Sequence, residues 1–180
     1  MTAAVLFGAG CFWYSEPAFG ALRGVRHVQP GYSGGTTYYP SYQQVHHQNT
    51  GHIQVVQVRY DPHEISFNTL LEVFFSLHDP TSLNKQGCDE GEQYASAVFY
   101  TTPQQLQTVQ SYIEQLESKL KKEVVTRLIP AAVFWPAEIE HSHYYLRNLC
   151  APYSLSVIQP KLRQFAKNYK ALLQTRRRPL

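Results

Sequence analysis

Four short runs rich in apolar residues occur within the first hundred positions, and turn residues follow them. They cover Ala3 to Phe7, Val25 to Gln29, His52 to Tyr60 and Ala95 to Tyr100. Short runs that are rich in valine and aromatic residues and end at turn residues such as Asp61-Pro62 predict β-strands. The first half of the chain therefore predicts a four-stranded sheet.

Two stretches with helical character separate these strands. The residues after Cys11 predict a short helix, and a later stretch has its apolar positions on one helical face. These positions are Phe67, Leu70, Leu71 and Phe74. The order β-α-β-β-α-β is typical of an α+β fold with a ferredoxin-like core, a two-layer sandwich in which helices cover one face of an antiparallel sheet.

Two polar loops, at Gly31 to Thr50 and at Asp79 to Gln93, interrupt this core. Long loops in a compact domain often carry function, so we expect a functional site there. We expect one domain over residues 1–180, with a core of about 3–148 and a C-terminal helical extension of about 149–180. Four more elements are predicted: a helix capped by Thr102-Pro103, a strand pair or bulged strand at Glu123 to Phe134, a helix at Glu138 to Asn148 and an amphipathic helix at Lys161 to Leu173.

The composition favours a folded protein without a nucleic-acid or membrane partner. Hydrophobic residues make up 43% and charged residues 16% of the chain, which is enough apolar material for one core. The net charge is only +3, and the basic run Arg176 to Arg178 is interpreted as a solvated tail. No stretch approaches the roughly 18 apolar residues of a membrane span, and the first residues lack the pattern of a secretory signal, so we expect a cytoplasmic protein.

The three cysteines, Cys11, Cys88 and Cys150, form no C-x-x-C pair. An odd number without such a pair argues against a disulfide framework and a zinc site, and favours reduced or redox-cycling thiols. Cys11 lies between a glycine turn and the aromatic pair Phe12-Trp13, at the predicted start of a helix. A helix N-terminus favours a thiolate, so Cys11 is a candidate nucleophile; a small buried core residue is the alternative.

Other motifs fit known sites less well. Gly8-x-Gly10 lacks the third glycine of a dinucleotide-binding turn, since Trp13 holds that position. The stretch Gly31 to Gly35 matches the G-x-S-x-G pattern of a nucleophile elbow, but Pro40 follows where the pattern requires a helix. We interpret it as a glycine-rich turn.

The histidines leave one alternative open. His46-His47 and His141-x-His143 have no cysteine or carboxylate at ligand spacing, so they predict surface histidines rather than a metal site. A cysteine hydrolase with a histidine base remains possible from the residues alone, although no local signature of such families surrounds Cys11. The available bases are His52, His78 and His141.

Seven sequence blocks resemble a known family, the A-type peptide methionine sulfoxide reductases. They follow the order and spacing of that family from about residue 5 to about residue 148. The blocks are Gly10-Cys11-Phe12-Trp13, Gly31-Tyr32-Ser33-Gly34-Gly35, Thr50-Gly51-His52, Tyr60-Asp61-Pro62, His78-Asp79-Pro80-Thr81, Asp89-x-Gly91-x-Gln93-Tyr94 and Phe134-Trp135-Pro136-Ala137-Glu138.

The resemblance implies thiol-dependent reduction of methionine S-sulfoxide, free or in proteins, through a sulfenic acid on Cys11. It also implies a monomer without a bound cofactor, regenerated by an external thiol such as thioredoxin or a small dithiol. By this resemblance, Phe12 and Trp13 hold the substrate methyl group by apolar contact, and Tyr42 and Tyr94 donate hydrogen bonds to the sulfoxide oxygen. Asp89 helps to hold the substrate backbone. Glu16, Glu138 and His141 match positions with a structural role.

One departure from the family pattern lies at the chemistry. The family motif Gly-His-x-Glu carries the usual proton donor, but here it is Gly51-His52-Ile53-Gln54. Gln54 has no acidic proton, and general acid catalysis contributes about 10²–10⁴-fold, so we expect a slowed reductase. The alternatives are an attenuated homologue that binds methionine sulfoxide, or a different thiol chemistry of Cys11 on the same scaffold.

A second departure concerns regeneration. Many family members carry a recycling cysteine in a Gly-Tyr-Cys segment; if Tyr153 is the matching tyrosine, Ser154 stands at that position. Cys150 lies close by in a proline-containing segment that we expect to be flexible, and Cys88 adjoins Asp89. Cys150 and Cys88 are therefore the candidate resolving cysteines, with direct reduction by an external thiol as the alternative.

Overall fold

A sheet of six strands organises the molecule, which is described by a computed structural model over residues 1–175. The basic run predicted as a solvated tail lies outside the described residues. The strands are β1 Ala3–Ala9, β2 Val25–Ser33, β3 Ile53–Tyr60, β6 Ser96–Tyr100, β7 Arg127–Pro130 and β8 Trp135–Pro136, with a separate hairpin of β4 Lys85–Gln86 and β5 Asp89–Glu90. The strand order in the sheet is β7-β6-β1-β3-β2-β8.

The four central strands confirm the predicted ferredoxin-like core. β1 lies between β3 and β6, β3 lies between β1 and β2, and each of these pairs is antiparallel. Two short strands extend this core, since β7 pairs in parallel with β6 and β8 pairs antiparallel with β2. The fold is thus the predicted α+β class.

Six helices accompany the sheet within the described residues. They are α1 Phe12–Gly20, α2 Tyr42–His47, α3 Phe67–Leu77, α4 Pro103–Leu120, α5 Tyr144–Arg147 and α6 Gln159–Asn168. No helix in this part of the chain is long and apolar enough to cross a membrane.

The main core forms where β1 meets the helices. Successive side chains of a strand point to opposite faces, so Val5 and Phe7 face the helices while Leu6 faces the other side. The Phe7 ring stacks on Phe19 of α1 at 5.1 Å and on Phe74 of α3 at 4.8 Å between centroids. This packing fixes α1, and therefore its N-terminus, against the end of β1.

The first polar loop is more ordered than predicted. β2 continues to Ser33, and α2 lies within the stretch that was expected to be a loop. Ser41 begins α2 with a capping box, in which its hydroxyl accepts from the Gln44 N–H and the Gln44 side chain accepts from the Ser41 N–H. The capping residues were visible in the sequence, but six residues are too short for a clear helical period. The second polar loop contains the β4–β5 hairpin.

The C-terminal third also departs from the prediction. Glu123 to Phe134 contains one strand, β7, and the expected helix at Glu138 to Asn148 is broken into a 3₁₀ turn, Ile139–His141, and α5. His143 causes the break, because its φ of 54° lies in the left-handed region that a helix cannot continue through.

The terminal helix is also shorter and differently divided. A π-helical turn at Ser154–Ile158 precedes α6, and a 3₁₀ turn at Lys170–Leu172 follows it. Helical structure therefore begins close to Cys150, so the segment that we expected to be flexible is ordered immediately after that residue.

Candidate active site

Cys11 caps the N-terminus of α1, as the sequence predicted. The preceding Gly10 has φ +88°, and a Cβ added there would lie 2.3 Å from the Tyr14 hydroxyl and 2.8 Å from Gln86. Only glycine therefore allows β1 to turn into α1 at this point. The turn places the Cys11 side chain in a buried position, with 5% of the residue exposed.

The Cys11 thiol is protonated in this substrate-free state. Burial raises its pKa to about 12, although the nearby Trp13 backbone N–H and Tyr153 hydroxyl act in the opposite direction. The expectation of a thiolate stabilised by the helix N-terminus is thus wrong for the free protein, because the loss of hydration is the larger effect. The sequence shows the helix start but not the depth of burial.

Aromatic rings form an apolar box beside Cys11. Phe12 is fully buried, and its ring lies 6.4 Å from that of Tyr42. The Trp13 indole stacks on Tyr144 with 3.7 Å between centroids and meets Tyr153 edge-on at 5.7 Å. The predicted apolar residues Phe12 and Trp13 are therefore brought together, while Tyr144 was missed because nothing in its local sequence marks it.

The polar side of the site is formed by residues at the start of β3 and on α2. Gln54 is buried, and its Oε1 accepts the Phe12 N–H at 3.2 Å. Its Nε2 lies 2.9 Å from Nε2 of His46. The His46 ring in turn packs against Tyr42, with 4.0 Å between centroids, and meets Tyr94 edge-on at 5.7 Å. Sequence reasoning assigned His46 to the surface, but the structure places it in the site.

The hydroxyls of Tyr42 and Tyr94 are available as donors. Neither makes a hydrogen bond to any residue within 1–175. Burial, followed by the nearby Cys11 and Asp89, raises the pKa of both phenols well above its ordinary value, so both keep their protons. The structure thus brings both predicted tyrosines into the electrostatic range of Cys11.

Asp89 lies on the side of Cys11 that faces the C-terminal segment. Its Oδ2 accepts the Tyr153 O–H at 2.5 Å. Burial raises the pKa of Asp89, while Tyr153 and Lys161 lower it. Tyr153 therefore connects the carboxylate to the thiol of Cys11 and covers this side of the site.

The two other cysteines are exposed and free. Cys88 is near enough to Cys11 to contribute to the raised pKa of that thiol. Cys150 lies before the helical segment that carries Tyr153. Ser154, which follows Tyr153, is fully buried, and its hydroxyl has no hydrogen-bond partner among residues 1–175.

Two carboxylates, those of Glu138 and Glu16, fix the helices that carry the site residues. Glu138 accepts the Tyr42 N–H at 2.7 Å and the Tyr32 O–H at 2.9 Å, which fixes the start of α2. Glu16 accepts the His143 N–H at 2.8 Å, which ties α1 to the segment before α5. Both contacts support the structural role expected for these residues.

The histidines considered as bases do not hydrogen-bond Cys11 in the described chain. The two ring nitrogens of His52 contact the Gly35 N–H and the Thr37 carbonyl, and those of His78 contact the Phe74 carbonyl and the Ser96 hydroxyl. Nδ1 of His141 accepts the indole N–H of Trp13 at 3.1 Å. A cysteine–histidine pair of the hydrolase type is therefore not formed.

Two further expectations concern Ser33 and metals. Ser33 lies within β2 and donates to the Val133 carbonyl, so it does not occupy the turn of a nucleophile elbow. The described residues contain no group of three or more His, Cys, Asp or Glu side chains arranged to hold a metal ion.

Comparison with known proteins identifies the family. The chain matches the family model of peptide methionine sulfoxide reductases over residues 3–173. The peptide methionine sulfoxide reductase MsrA of Chromobacterium violaceum is 46% identical over 171 residues, which are 94% of this chain and 97% of the relative.

Two solved structures share the fold. Methionine sulfoxide reductase A of Corynebacterium diphtheriae has a TM-score of 0.76 and 33% identity, covering 87% of this chain and 81% of that one. Reduced Mxr1 from Saccharomyces cerevisiae has a TM-score of 0.77 and 28% identity, covering 83% of this chain and 87% of that one.

The fold and the site thus define a thiol-dependent oxidoreductase. The chain belongs to the peptide methionine sulfoxide reductase family, and its activity is the reduction of methionine sulfoxide.

Proposed function

We propose that this protein reduces the S epimer of methionine sulfoxide, free or in oxidised proteins, with Cys11 as nucleophile. The supporting observation is the pairing of a buried thiol with an apolar box on one side and unpaired hydroxyl donors on another. Such a site matches a substrate with a methyl group, a sulfur and a strongly polar oxygen.

The first step transfers the oxygen to Cys11. The Cys11 sulfur attacks the sulfoxide sulfur and forms a transient S–S bond. The oxygen then transfers to the Cys11 sulfur as the S–O bond of the substrate and the S–S bond break, so methionine leaves and Cys11 becomes a sulfenic acid. The sulfoxide sulfur gains two electrons and the Cys11 sulfur loses two. The thiol proton balances the step as the sulfenic O–H, so a protonated Cys11 brings both the electron pair and the proton.

The polar side chains stabilise the oxygen while its bond breaks. Tyr42 and Tyr94 donate O–H groups to it, and Phe12 and Trp13 hold the methyl group by apolar contact. Gln54 adds an amide donor where an acid would supply a proton, so the first step is slowed rather than abolished.

Gln54 is also the observation that favours a second candidate function. A site with intact apolar and tyrosine positions but no acidic donor suits a homologue that binds methionine sulfoxide with little turnover. Tight binding of the sulfoxide with negligible methionine formation would distinguish this candidate.

Reduction of the Cys11 sulfenic acid back to the thiol requires two further thiols, which the substrate does not supply. A thiol attacks the sulfenic acid, releases water and forms a disulfide with Cys11, and a second thiol then restores Cys11. We propose that Cys150 or Cys88 forms the first disulfide and that a thioredoxin-like dithiol completes the cycle. Mxr1 of S. cerevisiae has been crystallised in complex with Trx2, which supports such a partner. A cytoplasmic location and a monomeric state remain predictions.

The test is the turnover of racemic methionine sulfoxide by the purified protein with excess dithiothreitol, followed by chiral chromatography. We expect loss of the S epimer alone and matching formation of methionine. The Cys11→Ser variant serves as the matched control and should convert neither epimer. Loss of neither epimer by the wild type, with Cys11 free and reduced, would favour the binding function instead.

A further inference from the structure

The contact between Gln54 and His46 fixes the proton on the imidazole. The Phe12 N–H can only donate, so the Gln54 atom that faces it at 3.2 Å must be the carbonyl oxygen. The amide nitrogen then faces Nε2 of His46 at 2.9 Å, and an amide nitrogen can only donate. Nε2 of His46 is therefore an acceptor, and the neutral ring carries its proton on Nδ1.

The same amide has a second N–H that remains unpaired. Gln54 is 1% exposed, and its nitrogen has one hydrogen-bond partner within residues 1–175, which is His46. A buried donor without a partner destabilises the folded protein unless a ligand satisfies it. This donor belongs to a side chain that is anchored one residue from Cys11 and bonded to His46, whose ring contacts Tyr42 and Tyr94.

We propose that His46 is a positioning residue for sulfoxide reduction: its neutral Nε2 holds one N–H of Gln54, so that the other N–H is presented to the sulfoxide oxygen. This inference rests on the proposed function and adds how Gln54 is oriented as a hydrogen-bond donor to the sulfoxide oxygen. An amide held at only one end rotates about its terminal torsion. Contacts to Phe12 and His46 hold it at both ends, and such preorganisation lowers the barrier because no donor must reorient during the reaction.

The proposal has a pH dependence whose sign follows from the geometry. A protonated His46 would turn Nε2–H toward Gln54, so two donors would face each other and the amide would lose its anchor. Burial, together with His47 and His141, lowers the pKa of His46 below its ordinary value of 6.5. Activity should therefore be full above that pKa and fall as the pH decreases through it.

The groups that face His46 set this titration. They come from its own helix, from the approach to β3, and from the turns Glu92–Tyr94 and Ile139–His141. Several of them border a cavity of about 300 Å³ that is open to solvent, so protons reach His46 without passing Cys11. The titratable members are Tyr42, His47, His52, Glu92, Tyr94 and His141.

The experiment compares three variants by their pH profiles of kcat and KM for methionine S-sulfoxide. His46→Phe keeps a ring against Tyr42 but removes the acceptor, so we expect kcat to fall about 10- to 100-fold and the acidic limb to disappear. His46→Gln offers an amide oxygen near the position of Nε2 that accepts without titrating, so it should restore most of kcat, also without the acidic limb. His47→Asn, at the exposed neighbour, should keep the wild-type kcat above neutral pH and retain the acidic limb, shifted to slightly higher pH because a neighbouring positive charge is removed.

A nitrogen-15 NMR measurement tests the tautomer independently of turnover. We expect the His46 proton on Nδ1 at pH 8, and we expect the Gln54 amide signals to shift when methionine S-sulfoxide is added to the wild type and to His46→Gln, but not to His46→Phe. A proton on Nε2, or a shift in all three proteins, would overturn the proposal.

The kinetic outcomes are equally decisive. An unchanged kcat and acidic limb in His46→Phe would exclude a positioning role. Activity that rises as the pH falls, with an inactive His46→Gln, would make His46 the proton donor itself and also overturn the proposal. A wild type that reduces no sulfoxide would contradict the proposed function, and the NMR result alone would then decide whether His46 orients Gln54 toward bound sulfoxide.

Discussion

The two sides of Cys11 are built differently. The sulfoxide side, formed by Tyr42, His46, Gln54 and Tyr94, consists of buried or half-buried side chains with fixed orientations. The side on which we propose that Cys11 is recycled, called the recycling side below, contains Cys88, Cys150 and Tyr153, and both of these cysteines are exposed and free. Oxygen transfer requires donors at fixed positions, whereas regeneration requires access for a second thiol. The difference indicates that the Cys11 sulfur must be enclosed by fixed donors in the first half-reaction and accessible to another thiol in the second.

Tyr153 lies between the Cys11 thiol and the segment that carries Cys150. Its hydroxyl donates to Asp89 and is close enough to Cys11 to affect the pKa of that thiol, and it belongs to the segment that follows Cys150. Three residues of extended chain span at most about 10 Å, so Cys150 cannot lie far from the position of Tyr153.

Replacing Gln54 by Glu should have the largest effect on the sulfoxide side. The carboxyl group keeps an acceptor for the Phe12 N–H and adds an acidic proton, so we expect the first turnover to accelerate by up to about 10²–10⁴-fold. Rapid-quench measurement of methionine formation checks this. Gln57→Glu, on the same strand, is the matched control and should not accelerate it. An unchanged or lower rate would remove Gln54 from the mechanism.

Replacing Tyr94 by Phe should slow the same step. The variant keeps the ring that meets His46 but loses one donor to the sulfoxide oxygen, which typically costs about 10²–10³-fold. Single-turnover kinetics give the rate, and Tyr38→Phe at an exposed position is the control. If Tyr94→Phe reacted at the wild-type rate, the oxygen would have to lie elsewhere.

The raised pKa of Cys11 predicts how its reactivity depends on pH. Because burial raises this pKa to about 12, the alkylation rate of the substrate-free protein should rise about tenfold per pH unit between pH 7 and 10. The measurement uses iodoacetamide and the Cys88→Ser/Cys150→Ser variant, in which Cys11 is the remaining thiol. A plateau below pH 9 would show a thiolate stabilised in the free protein.

Replacing Cys150 by Ser should have the smallest effect, and only on the recycling side. Methionine formation in the first turnover should be unchanged, while steady-state turnover with a thioredoxin-like reductant should fall several-fold. Mass spectrometry of the wild type after one turnover should show a Cys11–Cys150 disulfide. A persistent sulfenic acid, or a mixed disulfide with the external thiol, would contradict this role for Cys150.

The sequence predicted the sulfoxide side only in part. Cys11 at the start of α1 and the four core strands follow from periodicity and the glycine turn, because local chemistry determines them. The role of His46 depends on a contact across eight residues with Gln54, and the short helix that carries it has no clear period. The protonated state of Cys11 depends on burial by distant segments such as that of Tyr153. Local patterns cannot report either effect.

The most direct test of the account is one turnover without any resolving cysteine or reductant. The Cys88→Ser/Cys150→Ser variant is mixed with excess methionine S-sulfoxide, and dimedone traps any sulfenic acid before analysis by mass spectrometry. The account predicts one methionine per chain and one dimedone adduct, on Cys11. No methionine, or an adduct at another residue, would contradict the claim that Cys11 and the sulfoxide side complete the oxygen transfer by themselves.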